Sequence, residues 1–422
     1  MIAAVALALA IRVAYVVLQA RLGLFDVSFE AGDSRLYLAI ARELVAGHGM
    51  TFEGHPTAYV GPAYPIFLAA LLALGAGTTA IGLVQACLGA ATCAVVALLA
   101  SEVTVASGRS PIIGARAAVI AAFGSAVYPH LVFWTGYVLT ETLFVALVAG
   151  AFYLTVTAAD RDDGGRAAAA GVVTALAALA RPAYLAFGVA VVVWWLLRAR
   201  ERRAAGAALL FAAGLALPIA VWAVRNEVEL GAPIVTTTES GFVLYAGNSR
   251  EGTGGSRGYL DGRDYRTLDL PAGLSEAESD AAYQREALRQ IAEDPWAAIR
   301  KWPSKLYNMW RPTYEDASTR NLLVSFATYL PVLVLGVAGA AILARAGALR
   351  ASALPALFLA TWVAVHVLVA GLIRYRLPAE LILIVTGAVP LALWSRGRER
   401  SADPIRSGIS ARTTRRGSRD AI

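Results

Sequence analysis

Six ionisable side chains stand where apolar runs of this sequence begin or end: Asp33, Glu141, Arg181, Arg225, Arg374 and Arg376. Carboxylates can give or take a proton, and planar guanidiniums bind phosphate in a bidentate way. Ionisable groups at membrane depth are costly and tend to mark function. Two acidic and four basic groups meeting at one face of a membrane would suit a lipid that carries a phosphate.

The chain that must position them has 422 residues, 58% hydrophobic and 16% charged. Soluble domains carry about 45–50% apolar and about 25% charged residues. A larger core does not explain the excess, because single cores stop growing beyond roughly 250–300 residues. The composition therefore predicts an all-α polytopic membrane protein. Apolar runs near 2–22, 79–100, 111–129, 140–158, 167–181, 184–197, 204–224, 321–343, 352–372 and 377–394 give about ten transmembrane helices. The 184–197 run is short and 167–181 relies on alanine, so these two carry the least weight.

Net charge is +7, almost all of the basic residues are arginine, and they fall in alternate short loops and a tail. This is the positive-inside pattern, with both termini cytoplasmic, and it accounts for the charge without nucleic acid. The arginine bias suggests a GC-rich bacterial genome. Cys87 and Cys93 share one apolar run and offer neither a disulfide framework nor a metal site. The first run lacks a basic leader and a cleavage site and reads as a retained span, whose Arg12 either faces the bundle interior or snorkels.

This topology divides the chain into a bundle over 1–225, with a first external loop at 23–78, and a second external segment over 226–320. Closing helices follow over 321–395, then a basic tail over 396–422 that is expected to be disordered beside anionic headgroups. The first loop holds an amphipathic surface helix from Asp33, ended by Gly47 and Gly49, and then an apolar run too short to span. The second has a Gly/Ser-rich piece at Asn248–Gly258 and a helix with a capping box at Ser275 and Glu278. Asp294-Pro295 stops that helix, and an amphipathic one follows through Trp296, Trp302, Leu306 and Trp310, whose tryptophans suit a membrane interface.

Within these loops Asp33 with Tyr37, Ala41 and Gly47-His-Gly49, then Pro56-Thr-Ala58 and Pro62-Ala-Tyr-Pro65, resemble the first external loop of GT-C membrane glycosyltransferases. The likeness is nearest to bacterial members of glycosyltransferase family 39, which holds protein mannosyltransferases and the lipid A aminoarabinose and galacturonic acid transferases. Leu139-Thr-Glu-Thr-Leu-Phe144, Arg181-Pro182, Arg225-Asn226 with Gly231 and Gly241, Ala246-Gly-Asn248 and Arg374-Tyr-Arg-Leu-Pro378 extend it over almost the whole chain. The resemblance implies a GT-C-like fold in a bacterial cytoplasmic membrane with an external active site. It also implies inverting transfer of a sugar from a polyprenyl-phosphate donor to an extracytoplasmic lipid, glycan or protein.

Residue by residue, capping is the commoner reason for an aspartate before a helix, but the resemblance makes Asp33 the base that takes the acceptor proton. Glu141 either assists it or is a helix-dipole glutamate. Arg374 and Arg376, and with less weight Arg225, are candidate donor-phosphate ligands, against interfacial anchoring. Arg181-Pro182 reads equally as a turn between spans. Tyr37, His55, Tyr59 and Tyr64 are candidate substrate contacts; Tyr59 and Tyr64 could equally anchor the loop at the interface. His48 and His55 lack a His-x-x-x-His spacing and read as solvated loop histidines, although the resemblance leaves room for a divalent cation. No other cofactor is implied.

Two departures keep sugar and acceptor open. Gly61 stands where the aminoarabinose transferases carry a lysine, and Asp33-Ser34 where the mannosyltransferases carry Asp-Glu. The main rival is a transporter or flippase of lipid-linked sugars, against which the halves show no repeat and the charges gather at one face. An O-antigen ligase or polymerase is a third reading.

Overall fold

A chain in lipid must satisfy its backbone internally, which long apolar runs do by winding into helices. The computed structural model describes residues 1–23, 32–198, 202–250, 268–313 and 318–402. The first half runs α1 (Ile2–Arg21), α2 (Asp33–Val45), α3 (Ala63–Ala73), α4 (Thr78–Ala106), α5 (Pro111–Val127), α6 (Pro129–Phe133), α7 (Glu141–Arg161) and α8 (Gly164–Ala180). Next come α9 (Tyr184–Leu197), α10 (Arg202–Leu230), α11 (Ser240–Asn248), α12 (Glu276–Glu293), α13 (Pro295–Arg300) and α14 (Trp302–Trp310). The chain closes with α15 (Thr319–Ala344), α16 (Leu354–Leu368) and α17 (Leu377–Ala402). The strands among the described residues are a short hairpin, Thr51–Phe52 against His55–Pro56. Its turn residues Glu53 and Gly54 both have positive φ, as a two-residue hairpin turn requires.

Among the described residues seven helices are long and apolar enough to cross a membrane, and the bent pair Pro111–Val127 with Pro129–Gly136 makes an eighth. The other two expected spans are α8 and α9, of 17 and 14 residues. At a rise of about 1.5 Å per residue they measure about 25 and about 21 Å, against a hydrocarbon core of about 30 Å. The run after Pro62 forms α3, 11 residues long and short of a span, as its length predicts. The expected tail lies mostly beyond residue 402, and the Gly/Ser-rich piece mostly within 251–267, outside the described residues.

The bend of 54° after α5 follows from Pro129. Proline has no N–H to bond the carbonyl four residues back and holds the residue before it extended; Tyr128 has φ −67 and ψ 115. The carbonyl left without its partner is that of Ser125. Arg12 supplies the missing donor: Nη2 bonds Ser125 O at 3.2 Å and Nη1 bonds Ala126 O at 3.1 Å and Ala8 O at 3.2 Å. Arg12 is 1% exposed, so of its two readings the bundle interior is the correct one.

The described parts of the segment between α10 and α15 are docked rather than loose. The capping box at Ser275 and Glu278 forms as expected, and Asp294 caps α13 through Ala297 N. The single helix expected after Pro295 is divided at Lys301, because Pro303 restarts the chain as α14. Lys305 on α14, 1% exposed, donates to Asn248 Oδ1 at 2.8 Å and Leu368 O at 3.2 Å, joining α11 and α14 to the end of α16. Lys301 donates to the carbonyls of Asn248 and Ser249. Gly371 allows this approach, since a Cβ there would lie 2.0 Å from Lys305 O.

Burial pulls the Lys305 ammonium down to about 8 from an ordinary 10.5. A neutral amine still has two N–H groups for its two acceptors. Below pH 8 folded and unfolded chains both hold the proton; between about 8 and 10.5 only the unfolded chain does, so stability rises with pH across that window. The melting midpoint of the detergent-solubilised protein should therefore gain more between pH 8 and 10 than that of Lys305→Met. Equal gains would remove Lys305 as the titrating group.

A band of rings joins α7, α9 and α16: Phe152 stacks on Phe187 at 5.2 Å and Phe358 on Trp362 at 5.5 Å, with Phe144 edge-on to Tyr184 at 5.8 Å. Such pairs are stiff and fix helix spacing beyond simple burial. Of these rings Trp362 lines the cavity described below.

Candidate active site

α2, the loop at Tyr59–Gly61, α11 and the ends of α7, α9 and α16, with the turn at Arg374-Tyr375, enclose a cavity of about 560 Å³. One end is polar, lined by Asp33, Tyr37, Tyr59, Glu141, Arg181, Glu239, Arg374 and Tyr375. The other is largely apolar, lined by Leu185, Ala186 and Val189 of α9 and by Trp362, Val365 and Val369 at α16, with His366 among them. Val189 is 53% exposed, so this end of the cavity is open.

Two ion pairs organise the polar end. Asp33 Oδ2 accepts from Arg374 Nη1 at 3.0 Å, and Glu141 Oε1 accepts from Arg181 Nη2 at 2.5 Å. Arg181 Nε also donates to Thr140 Oγ1 at 3.1 Å. The ring of Tyr375 lies between the two cations, 5.6 Å from the Arg181 guanidinium and 5.7 Å from that of Arg374. The Asp33 side chain is 44% exposed and that of Glu141 2%. Asp33 thus faces whatever enters, while Glu141 sits behind it.

Asp33 is the first residue of α2 and does not cap it; the N-cap is Gly32, at φ 58, and no side-chain cap bond forms. Its carboxylate is turned to the final helix instead. Burial and the neighbouring Asp33 charge push the Tyr37 phenol up, and burial with Glu239 and Asp33 does the same to Tyr59. Both phenols keep their protons and serve the cavity as hydrogen-bonding rings.

The other expected site residues lie elsewhere. Arg376 is 3% exposed; it donates through Nε to Glu380 Oε1 at 2.6 Å, through Nη1 to Arg311 O and through Nη2 to Pro312 O at 3.2 Å. Arg225 donates to Met50 O at 2.7 Å and Thr57 O at 3.0 Å, holding the first loop. Tyr64 is buried and donates to Gln85 Oε1 at 3.0 Å. His55 is exposed on the hairpin. None of the four lines the cavity.

The first loop is clamped from above as well. Glu276, at the start of α12, accepts from Thr57 Oγ1 at 2.7 Å, Ala58 N at 2.8 Å and Thr238 Oγ1 at 2.5 Å. These bonds bring Tyr59 and Glu239 to one side of the cavity. Gly61 is there for space: a Cβ would lie 1.9 Å from Leu179 O. A lysine at that position has no room in this chain. Among the described residues no three His, Cys, Asp or Glu side chains are grouped as ligands of a metal ion.

Sequence reasoning missed Glu239 and Tyr375 as lining groups. Tyr375 stands between two arginines, whose charge is the stronger local signal, and Glu239 sits in a polar segment without a span end to mark it.

Neither a protein-family model nor a curated protein matches the sequence. Among solved structures, the archaeal oligosaccharyltransferase AglB from Archaeoglobus fulgidus, in complex with an inhibitory peptide and a dolichol-phosphate, matches 88% of this chain at 14% identity and a TM-score of 0.51. The fold is GT-C-like. The chain spans about half the length of AglB, 47% of which is covered. ArnT from Cupriavidus metallidurans bound to undecaprenyl phosphate overlaps 92% of this chain and 79% of its own, with 15% identity and a TM-score of 0.36.

Proposed function

We propose that this chain is an inverting membrane glycosyltransferase that takes its sugar from a polyprenyl-phosphate donor on the non-cytosolic side of a bacterial cytoplasmic membrane. The observation that carries this reading is the salt bridge of Asp33 to Arg374, 3.0 Å long, inside a cavity whose other end is largely apolar. A base, a phosphate-binding cation and a trough for a lipid tail thus meet in one place. The solved structure that shares the fold was determined with a dolichol-phosphate, a lipid of the same chemical class.

The chemistry follows from charge. The donor phosphate competes with Asp33 for Arg374 and releases its carboxylate. Asp33 then takes the proton of the acceptor hydroxyl as that oxygen attacks the anomeric carbon. The bond from that carbon to the phosphate oxygen breaks on the opposite face, and polyprenyl phosphate leaves with the negative charge, which Arg374 stabilises. A single displacement inverts the anomeric centre. Glu141 holds Arg181, and with Tyr375 they form the back wall against which the sugar is oriented. The tail lies along α9 and α16. The donor sugar is a hexose or a pentose.

Purified protein in vesicles with a labelled polyprenyl-phosphate sugar and a crude envelope acceptor fraction should yield labelled acceptor and free polyprenyl phosphate. Movement of intact label across the bilayer with no product would instead make the protein a carrier of lipid-linked sugars.

A further inference from the structure

Behind the active cavity, in the membrane-embedded core, lies a second cavity of about 20 Å³ lined by Arg12, Gly89, Ser125, Trp134 and Glu141 among others. Three buried polar atoms of its lining residues have no hydrogen-bond partner among the described residues: Arg12 Nε, Trp134 Nε1 and Glu141 Oε2. Arg12 and Glu141 are each 1% exposed and Trp134 8%. Orphaned groups of this kind are rare in folded proteins, and each has a cost.

Their chemistry matches one small ligand. Two are N–H donors and one is a carboxylate acceptor. A water molecule accepts two hydrogen bonds and donates two, and a polar cavity needs only about 10–15 Å³ to hold one. Ser125, whose hydroxyl hydrogen goes to Ala122 O at 3.1 Å, can accept the remaining water hydrogen. Gly89 keeps the space open, because a Cβ there would lie 2.7 Å from Arg12 Nε. Arg12 also makes no ion pair among the described residues, an expensive state for a cation at membrane depth unless a carboxylate is linked to it. Glu141 is the carboxylate that borders both cavities.

We infer that this cavity is an internal water site that links Arg12 and Trp134 to Glu141, making Arg12 and Trp134 positioning residues for the Glu141–Arg181 pair. The first span thereby reaches the active cavity without touching substrate. This rests on the reading of Glu141 as part of a transferase site, but the link itself can be measured without turnover.

Trp134→Phe removes one donor and keeps the ring. Its kcat should fall about fivefold, the loss expected for one hydrogen bond to a neutral partner, with KM unchanged. Arg12→Lys, which keeps a charged donor, should recover activity that Arg12→Met lacks. In a thermal-melting cycle without substrate, Trp134→Phe should lower the midpoint in the natural background and by less in Glu141→Leu, which has no acceptor. Equal midpoint losses in both backgrounds, or a Trp134→Phe kcat that stays at the natural value, would overturn the water link. Coupled midpoints in a protein without transferase activity would sink the enzymatic reading and leave the link standing.

Discussion

Asp33→Asn inserts into the membrane at the natural level and transfers sugar about a hundred- to ten-thousandfold more slowly, the range for losing a positioned general base. The amide keeps the shape and can still meet Arg374, but it takes up no proton. Folding should survive, because the Asp33 side chain is 44% exposed and exposed ion pairs contribute at most about 1 kcal/mol. Initial rates on labelled donor, with donor binding measured separately, check this. Turnover at the natural rate would remove Asp33 as the base.

The second large effect separates two arginines that stand two residues apart. Arg374→Met should lower transfer by about a hundred- to a thousandfold, as for a lost donor at a developing oxyanion, with the protein still folded. Arg376→Met should instead deplete folded protein. The Arg376 guanidinium is enclosed with Glu380, which also bonds His130 Nδ1 at 2.5 Å. Removing one partner of a buried pair strands the other and costs about 3–5 kcal/mol. Yield and melting in detergent, read beside activity, distinguish these outcomes. Folded but inactive Arg376→Met would reverse the assignment.

These two arginines also show how far the sequence reaches. Both are basic, both begin the last span, and spacing alone treats them alike. What separates them is a tight helical turn over Ile373–Arg376 that sends one toward α2 and the other toward Arg311 and Pro312. Which groups a guanidinium meets depends on which backbone carbonyls reach it first, and those come from distant segments. Arg225 met the same fate through Met50 and Thr57.

The bundle and the union of Asp33 with the closing helix were legible because apolar runs, Pro breaks and charges at span ends are local signals. Span length was legible only in part: α8 and α9 stop near Arg181-Pro182 before reaching the thickness of a bilayer. Glu276 and Lys305 were invisible as organisers, since one sits in a capping turn and the other in an amphipathic helix. Their partners lie 219 residues back and 63 residues on.

The shared mouth of the first loop and the last helix is the claim on which the catalytic account depends. In a cysteine-free background, single cysteines at Tyr59 and Ala370, both bordering the cavity, should react with a membrane-impermeant maleimide added outside intact cells. Polyprenyl phosphate should protect both. Labelling of one position only after the membrane is opened, or labelling that polyprenyl phosphate leaves unchanged at both, would contradict it.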